Sequence, residues 1–281
     1  MSPPPLREII ARHGLDARKS LGQHFLLDGN LCARIVRSAG PLAGRHVVEV
    51  GPGPGGLTRA LLASEAASIT AVEIDPRAVS AVQELADGTS GRLTVVAADA
   101  LFTDILTLAA PPRVIVANLP YNIATPLLVA WLRQAGAIER LTLMFQQEVA
   151  DRICAAPGTS TYGRLSVLAQ WICRTELLLR IPPAAFVPPP KVWSAVVGLA
   201  PHAEQPSPAL FAGMERLTAA AFGHRRKMLR GSLKALGGEA LLAAAGIAPD
   251  RRAETLTVPE FEALLAASNG RVIDAIRPVA P

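Results

Sequence analysis

The most constraining feature of the sequence is a glycine-rich turn that joins an apolar run to a helix-forming stretch. The segment reads Val47-Val48-Glu49-Val50-Gly51-Pro52-Gly53-Pro54-Gly55-Gly56-Leu57-Thr58. Glycine has no Cβ, so this backbone can approach a ligand closely, and the following helix presents free N–H groups to it. An ordinary tight turn is the alternative, but four glycines in six residues exceed what such a turn needs. Each proline removes an N–H donor, so the turn fits a nucleoside without phosphates better than a dinucleotide.

Short apolar runs alternate with amphipathic stretches over the first two thirds of the chain. This rhythm predicts an α/β fold, a Rossmann-like, doubly wound and mostly parallel sheet. A proline-rich connection joins the last two runs, which predicts an antiparallel pair at the sheet edge. The seven predicted strands are His46–Val50, Ile69–Ile74, Leu93–Ala97, Val114–Ala117, Leu141–Phe145, Glu176–Ile181 and Val192–Leu199.

The composition of the sequence changes after Pro201, where polar residues and two prolines indicate a linker. Helical spacing with glycine and proline breaks follows. We therefore predict a catalytic domain over residues 1–201 and a small all-α domain over 202–281. Helices are predicted within the second domain at 209–222, 225–236 and 258–267.

Composition narrows the functional classes. The chain has 281 residues, of which 28 are Lys or Arg and 23 Asp or Glu, a net charge of +5. This charge mildly favours a polyanionic partner such as nucleic acid, although an arginine excess can equally reflect genome base composition. The three cysteines are scattered and the histidines lack ligand spacing, so we expect no disulfide framework, no metal and a cytoplasmic location. Residues 1–12 resemble neither a signal peptide nor an anchor, and no apolar run is long enough to span a membrane.

Acidic residues lie at the carboxyl ends of the second and third predicted strands. Glu73 comes about 20 residues after the glycine turn, where an acid can accept both ribose hydroxyls. Asp75 competes for that role, but we favour it as the cap of the helix that Pro76 opens. Asp99 ends the third strand and can accept a hydrogen bond from an adenine amine; a plain turn residue is the alternative.

The fourth predicted strand ends in Asn118-Leu119-Pro120-Tyr121. This tetrapeptide matches the N/D/S-P-P-Y/F motif of methyltransferases that modify exocyclic amines, with Leu119 at the first proline position. An amine conjugated to a ring is a poor nucleophile, so the Asn118 Oδ1 and the Leu119 carbonyl would accept its hydrogens and steer its lone pair. Tyr121 would stack on the base. A structural turn with a buried tyrosine is the alternative.

Taken in order, these motifs resemble the small-subunit ribosomal RNA adenine dimethyltransferase family over nearly the whole chain. Residues 19–28 resemble the family's G-Q-x-F-L-x-D signature, and three further stretches also match. These stretches are Gln147-Glu148-Val149-Ala150-Asp151-Arg152, Tyr162-Gly163-Arg164-Leu165-Ser166 and Phe186-Val187-Pro188-Pro189-Pro190-Lys191-Val192-Trp193-Ser194. In the second domain, Phe222–Arg230 resembles the F-x-x-R-R-K-x-L stretch and Arg251–Glu254 the R-A-E segment. His24 stands where Asn or His is usual, and Ala124 where Ser is common.

The resemblance implies an enzyme that transfers methyl groups from S-adenosylmethionine to two adjacent adenosines in a 3′-terminal hairpin loop of 16S rRNA. It implies Asn118, Leu119, Tyr121 and Phe186 as catalytic residues, with Phe186 as the second wall of the base pocket. The implied cofactor contacts are His24, Leu26, Gly51, Gly53, Glu73, Asp99 and Asn118. The basic block Arg225, Arg226, Lys227 and Arg230, with Lys234, is the predicted RNA-binding face, although a solvated helix face is the alternative. We expect a monomer.

Three other functions remain open from the sequence. The nearest is a resistance methyltransferase that acts on large-subunit rRNA; Leu119 and the Gly51-Pro52-Gly53-Pro54 turn favour the assembly enzyme. A non-catalytic assembly or transcription factor of the same fold is the second, against which the intact Glu73, Asp99, Asn118 and Tyr121 count. A nicotinamide dehydrogenase is the third, and the prolines of the turn disfavour it.

Overall fold

The structure, a computed structural model, describes residues 4–15, 24–224 and 227–268. The described residues form two compact units. The first contains those of 1–150 and 175–201, and the second contains those of 151–174 and 202–281. One boundary between the units falls after Pro201, and the stretch 151–174 is grouped with the second unit.

A seven-stranded sheet forms the centre of the first unit, and its strands lie in the order β4-β3-β2-β5-β6-β9-β7. The pairs β2/β3, β3/β4, β2/β5 and β5/β6 are parallel, and β9 runs antiparallel to β6. This arrangement confirms the predicted Rossmann-like α/β class. The strands are β2 (His46–Val50), β3 (Ser68–Glu73), β4 (Leu93–Ala97), β5 (Arg113–Asn118), β6 (Arg140–Gln146), β7 (Cys173–Ile181) and β9 (Ser194–Pro201).

Continuous apolar runs form these strands because both faces of a parallel sheet are covered. Four of the five residues of β2 and five of the six of β3 are buried. The helices of this unit are α1 (Leu6–Arg12), α2 (Gly29–Ser38), α3 (Gly56–Leu62), α4 (Pro76–Asp87) and α5 (Ala124–Leu132), with α6 (Gln147–Ile153) crossing into the second unit. Asp75 caps α4 as predicted, since its carboxylate accepts from the Arg77 N–H and Pro76 occupies the first turn.

The strand order reverses between β2 and β5. Chain connections from these two neighbours depart in opposite directions, so a crevice opens at their carboxyl ends, where open α/β sheets bind ligands. The glycine turn follows β2, and the Asn118–Tyr121 segment begins at the last residue of β5. The topology therefore brings the two strongest sequence motifs to one edge of the sheet.

A small second sheet lies outside the sequence expectations. It pairs β1 (Phe25–Leu26) with β8 (Phe186–Val187), antiparallel, with Leu26 opposite Phe186. Two-residue strands carry no detectable periodicity, and their partners are 160 residues apart in the chain. This pairing fixes the N-terminal motif against the segment that precedes β9.

The second unit is helical. It contains α7 (Arg164–Ile172), α8 (Pro208–Phe222), α9 (Leu229–Ser232), α10 (Gly238–Ala244) and α11 (Val258–Ala267). The helix predicted over 225–236 is wrong: in its described part α9 has only four residues and a 3-10 turn follows at Lys234–Leu236. The N–H groups of Leu229 and Arg230 bond to the carbonyls of Arg251 and Pro249, so tertiary contacts replace a longer helical ladder. Within the described ranges, none of the helices is long and apolar enough to cross a bilayer.

Candidate active site

A cleft of about 250 Å³ opens at the carboxyl ends of β2, β3 and β5. It gathers nine of the ten cofactor and catalytic residues predicted for the first unit. They are His24, Leu26, Gly51, Gly53, Glu73, Asp99, Asn118, Leu119 and Tyr121. The tenth, Phe186, does not line the cleft, because its side chain is packed into the core of the unit and is 2% exposed.

Close approach of neighbouring groups explains the glycines of the turn. Gly53 has φ +55°, and a Cβ there would lie 3.0 Å from the ring of Phe25. At Gly56 a Cβ would lie 2.3 Å from the carbonyl oxygen of Leu26, well inside contact distance. The turn thus accommodates β1 directly above it, and only glycine permits this packing.

Glu73 is held at the end of β3 by backbone N–H groups. Its Oε1 accepts from Ile74 and Asp75, both at 2.9 Å, and its Oε2 accepts from Gly53 at 3.2 Å. Burial raises the pKa of this carboxyl, and the three backbone hydrogen bonds oppose that rise. The bond to Gly53 ties the acid to the glycine turn, so both face the same part of the cleft.

Glu49 is a site residue that the motif analysis left without a role. It is 1% exposed, lines the cleft, and its Oε2 has no hydrogen-bond partner among the described residues. Burial, with the nearby charge of Glu73 as a smaller cause, raises the pKa of Glu49 to about 8, and the Thr58 hydroxyl opposes the rise. Its position in the acid-x-Gly-x-Gly pattern is the signal that could have identified it.

The third acid, Asp99, lies at the cleft and also makes a turn contact. Asp99 lines the cleft, and its Oδ1 also accepts from the Leu101 N–H at 2.9 Å, as a turn residue does. Ile74 and Leu101 complete this end of the cleft with partly exposed apolar side chains. Sequence reasoning missed these two because single apolar residues after strands carry no distinctive pattern.

Asn118 and Leu119 present their polar groups at the end of β5. The Asn118 Nδ2 donates to the His24 carbonyl at 3.1 Å, which turns the amide oxygen away from that contact. The Leu119 side chain is buried, while the residue still borders the cleft. Two oxygen acceptors, one from a side chain and one from the main chain, are therefore available on consecutive residues.

Aromatic rings surround His24. Its imidazole lies 5.3 Å from the Tyr121 ring centroid and 6.4 Å from that of Phe186, the latter edge-on. The His24 Nδ1 is 2.9 Å from the Pro188 carbonyl, so this nitrogen carries the hydrogen. The Tyr121 hydroxyl lies 2.6 Å from Ser194 Oγ. Burial raises the pKa of Tyr121, and the hydrogen bond with Ser194 opposes this rise. Phe186 thus contacts His24 and pairs with Leu26, two residues that line the cleft.

The predicted RNA-binding residues lie in the second unit. Lys227 and Arg230 are exposed, as is Lys234. Arg225 and Arg226 lie outside the described residues. A cationic surface is present on the described part of this block.

The cleft fits a nucleoside that carries a positive charge. Gly51 and Gly53 border the cleft without a side chain, Glu49 holds a buried oxygen that has no partner among the described residues, and Glu73 and Asp99 supply further acceptors. These features match the adenosine and charged amino-acid ends of S-adenosylmethionine. Across residues 4–15, 24–224 and 227–268, no three His, Cys, Asp or Glu side chains are grouped as metal ligands.

Sheet order, glycine turn and the Asn-Leu-Pro-Tyr segment define an S-adenosylmethionine-dependent methyltransferase of Rossmann-like fold. The chain belongs to the ribosomal RNA adenine dimethylase family, whose model matches residues 14–267. It is 65% identical over 264 residues to the ribosomal RNA small subunit methyltransferase A of Gluconobacter oxydans, covering 94% of this chain and 87% of the relative. The corresponding protein of Paramagnetospirillum magneticum is 57% identical over 272 residues, 96% of this chain and 97% of that protein.

Two solved structures of the same fold agree. A dimethyladenosine transferase from Plasmodium falciparum superposes with a TM-score of 0.75 and 26% identity, over 89% of this chain and 99% of that one. The 23S rRNA methyltransferase ErmE superposes with a TM-score of 0.65 and 29% identity, over 87% of this chain and 99% of that one. The chain is therefore an rRNA methyltransferase by family.

Proposed function

We propose that the protein methylates the exocyclic amines of two adjacent adenosines in a 3′-terminal hairpin loop of 16S rRNA in the small ribosomal subunit. The product is N6,N6-dimethyladenosine, formed during ribosome biogenesis. One observation carries the proposal: the cleft that holds Glu73 and Asp99 also holds Asn118, Leu119 and Tyr121. The names of the relatives that are 55–65% identical support the small subunit as substrate.

The first half of the site would hold the cofactor. We assign the ribose hydroxyls to Glu73 and the adenine amine to Asp99, with His24, Leu26, Gly51 and Gly53 lining the rest. When bound, S-adenosylmethionine supplies an electrophilic methyl group on a positively charged sulfur. Because these acceptors are fixed by backbone bonds and packing, no reorganisation of this half is needed for binding.

The second half would activate the adenine amine. Asn118 Oδ1 and the Leu119 carbonyl accept the two amine hydrogens, which localises the nitrogen lone pair for in-line attack. Tyr121 stacks on the base, an interaction of about 1–3 kcal/mol, and Phe186 supports the pocket from the core through its contact with His24. Rate is gained by positioning and electrostatics, without a covalent enzyme intermediate. To enter this cleft, the target adenine must be unstacked from its neighbours in the RNA loop.

Basic residues of the second unit would bind the phosphates of the RNA. We assign phosphate contacts to Arg225, Arg226, Lys227 and Arg230, the last two of which are exposed in the second unit. We propose that the protein acts as a monomer. The proposed substrate is assembled in the cytoplasm, which we infer to be the site of action.

The test offers labelled S-adenosylmethionine and the protein to small subunits that lack the dimethyl mark. Large subunits and naked rRNA are assayed in parallel, and the methylated nucleoside is identified after digestion. Dimethyladenosine confined to small subunits is the expected result. Label in large-subunit RNA alone would instead assign the activity represented by ErmE, and cofactor and RNA binding without label would indicate a non-catalytic factor.

A further inference from the structure

Ser194 is a fully buried polar residue to which neither the motifs nor the cleft assigns a role. Its side chain is 0% exposed, and its Oγ lies 2.6 Å from the hydroxyl of Tyr121. A buried hydroxyl without a partner is destabilising, so each of these two groups satisfies the other.

The sheet holds Ser194 rigidly. It is the first residue of β9 and lies opposite Gln146, the last residue of β6, in antiparallel register. Next to it, the Trp193 carbonyl accepts from the Gln147 N–H at 2.9 Å, which continues the pairing by one step. The Ser194 hydroxyl is therefore placed by main-chain hydrogen bonds on both sides of the strand start.

Tyr121, in contrast, sits in the turn after β5 and not on a strand. Its ring is attached to that turn at one end only, by Cβ. The hydroxyl at the opposite end meets Ser194, so the long axis of the ring is fixed at both ends. Ring overlap decides how well an aromatic residue stacks on a base, and a ring fixed before binding loses less entropy on binding.

We propose that Ser194 is a positioning residue whose hydroxyl holds the Tyr121 ring in the orientation in which it stacks on the target adenine. The residue acts through Tyr121 and does not itself touch the base. The inference rests on the proposed function, because that function assigns Tyr121 to the substrate base.

The first test observes the ring directly. The chain has two tyrosines, Tyr121 and Tyr162, so protein labelled with carbon-13 at the phenol carbon gives two resonances. Tyr162→Phe assigns them. Ser194→Ala should shift the Tyr121 resonance and leave that of Tyr162 in place, and Ser194→Thr, which keeps a hydroxyl, should restore it. An unmoved Tyr121 resonance in Ser194→Ala would overturn the proposal, whether or not the protein methylates 16S rRNA.

The second test is a double-mutant cycle of kcat/KM on unmethylated small subunits. Ser194→Ala and Tyr121→Phe each remove the same bond and keep the ring, so each should lower kcat/KM by about three- to tenfold, mainly through KM. The double variant should lose no more than either single variant. Losses that multiply, or wild-type kinetics in both single variants, would overturn the proposal. Inactive wild-type protein would refute the proposed function, and the resonance test would still decide the link between the two residues.

The kinetic test remains interpretable if Ser194→Ala folds poorly. The thermal midpoint of each variant is recorded beside its kinetics, and Tyr121→Phe removes the same hydrogen bond from the partly exposed side. A folded Tyr121→Phe variant with unchanged KM and kcat would by itself contradict a positioning role for the bond.

Discussion

The side-chain amide nitrogen of Asn118 lies 3.1 Å from the main-chain oxygen of His24 and donates a hydrogen bond to it. A carbonyl oxygen can only accept, so this contact decides which way the amide is turned. Its nitrogen faces the N-terminal motif, and its oxygen remains available as an acceptor beside the Leu119 carbonyl. The N-terminal segment thus sets the orientation of a side chain that is 94 residues away in the chain.

Substitution of Asn118 should separate cofactor binding from transfer. We expect Asn118→Ala to bind S-adenosylmethionine within a few-fold of wild type but to lose about 10²–10³ in kcat, the size of effect seen when one preorganised hydrogen-bonding group is removed. Calorimetry of cofactor binding and single-turnover methylation of small subunits measure the two quantities. Near-normal turnover would refute the role of this residue.

Asn118→Asp is the informative companion variant. The carboxylate keeps two acceptor oxygens but cannot donate to the His24 carbonyl, so the contact that orients the amide becomes repulsive. We expect at least a tenfold loss of kcat with the cofactor still bound. Wild-type kcat in this variant would show that the link to His24 is dispensable.

Substitution of a glycine in the turn should destabilise the protein, and a second glycine elsewhere in the chain provides a control. A Cβ at Gly56 would lie 2.3 Å from the Leu26 oxygen, so Gly56→Ala must displace β1 and should lower the free energy of unfolding by about 1–3 kcal/mol. Cofactor binding should weaken as well. Gly29 also begins a helix but has nothing within 4 Å of its Cβ position, so Gly29→Ala should be neutral or slightly stabilising. Equal urea midpoints for the two variants would contradict the packing explanation.

The sheet and most of the site residues could be predicted from the sequence, because both depend on local patterns. Each of the seven apolar runs corresponds to a strand of the main sheet, and Glu73, Asp99 and Asn118 lie at or just after the carboxyl ends of strands that border the cleft. The class of fold was therefore predictable before any contact was known. The roles of individual site residues stay predictions until the experiments are done.

What the sequence could not supply depends on pairs of residues far apart in the chain. The β1/β8 sheet, the His24 to Pro188 contact and the Tyr121 to Ser194 bond each join segments that no periodicity connects. The helix predicted over 225–236 is wrong for a related reason, since the N–H groups of Leu229 and Arg230 donate to carbonyls of a distant segment and not to the preceding helical turn. The helix propensity of a segment does not predict when such tertiary hydrogen bonds will replace helical ones.

Glu49 should make stability depend on pH. Its pKa is about 8 in the folded protein, because of burial first, against about 4.3 in an unfolded chain. The folded state therefore keeps a proton that the unfolded state releases. The contribution of this proton to the free energy of unfolding is fully present below about pH 4. It is lost as pH rises toward 8, by at most about 1.4 kcal/mol per pH unit.

The isosteric variant Glu49→Gln isolates this contribution. Its free energy of unfolding should lack the decline between about pH 5 and 8, so the gap between wild type and variant should change steadily over that range. Urea unfolding at several pH values gives both curves. Parallel curves would mean that the carboxyl is ionised throughout in the folded protein.

The basic block of the second unit should be visible in the salt dependence of RNA binding. Each phosphate contact contributes a slope of about 0.7–0.9 in a plot of log K against log salt. Lys227→Ala with Arg230→Ala should therefore reduce the slope by about 1.5, and Arg225→Ala with Arg226→Ala should act similarly. Arg37→Ala, at an exposed arginine of the first unit, serves as the control. Slopes that match wild type would indicate a solvated surface.

The last prediction concerns Tyr162, a buried residue of the second unit. Its hydroxyl has no hydrogen-bond partner among the described residues, and burial raises its pKa to about 12, with Glu260 as a smaller cause. The ring packs edge-on against Phe222 at 6.2 Å, a contact that phenylalanine would preserve. Tyr162→Phe should therefore raise the free energy of unfolding by about 1 kcal/mol, because an unsatisfied buried hydroxyl is removed. As a matched control, Trp171→Phe loses a 2.8 Å bond to Glu262 in the same unit and should be destabilising. Urea unfolding of the intact chain measures both, and a less stable Tyr162→Phe would show that its hydroxyl has a partner, such as ordered water.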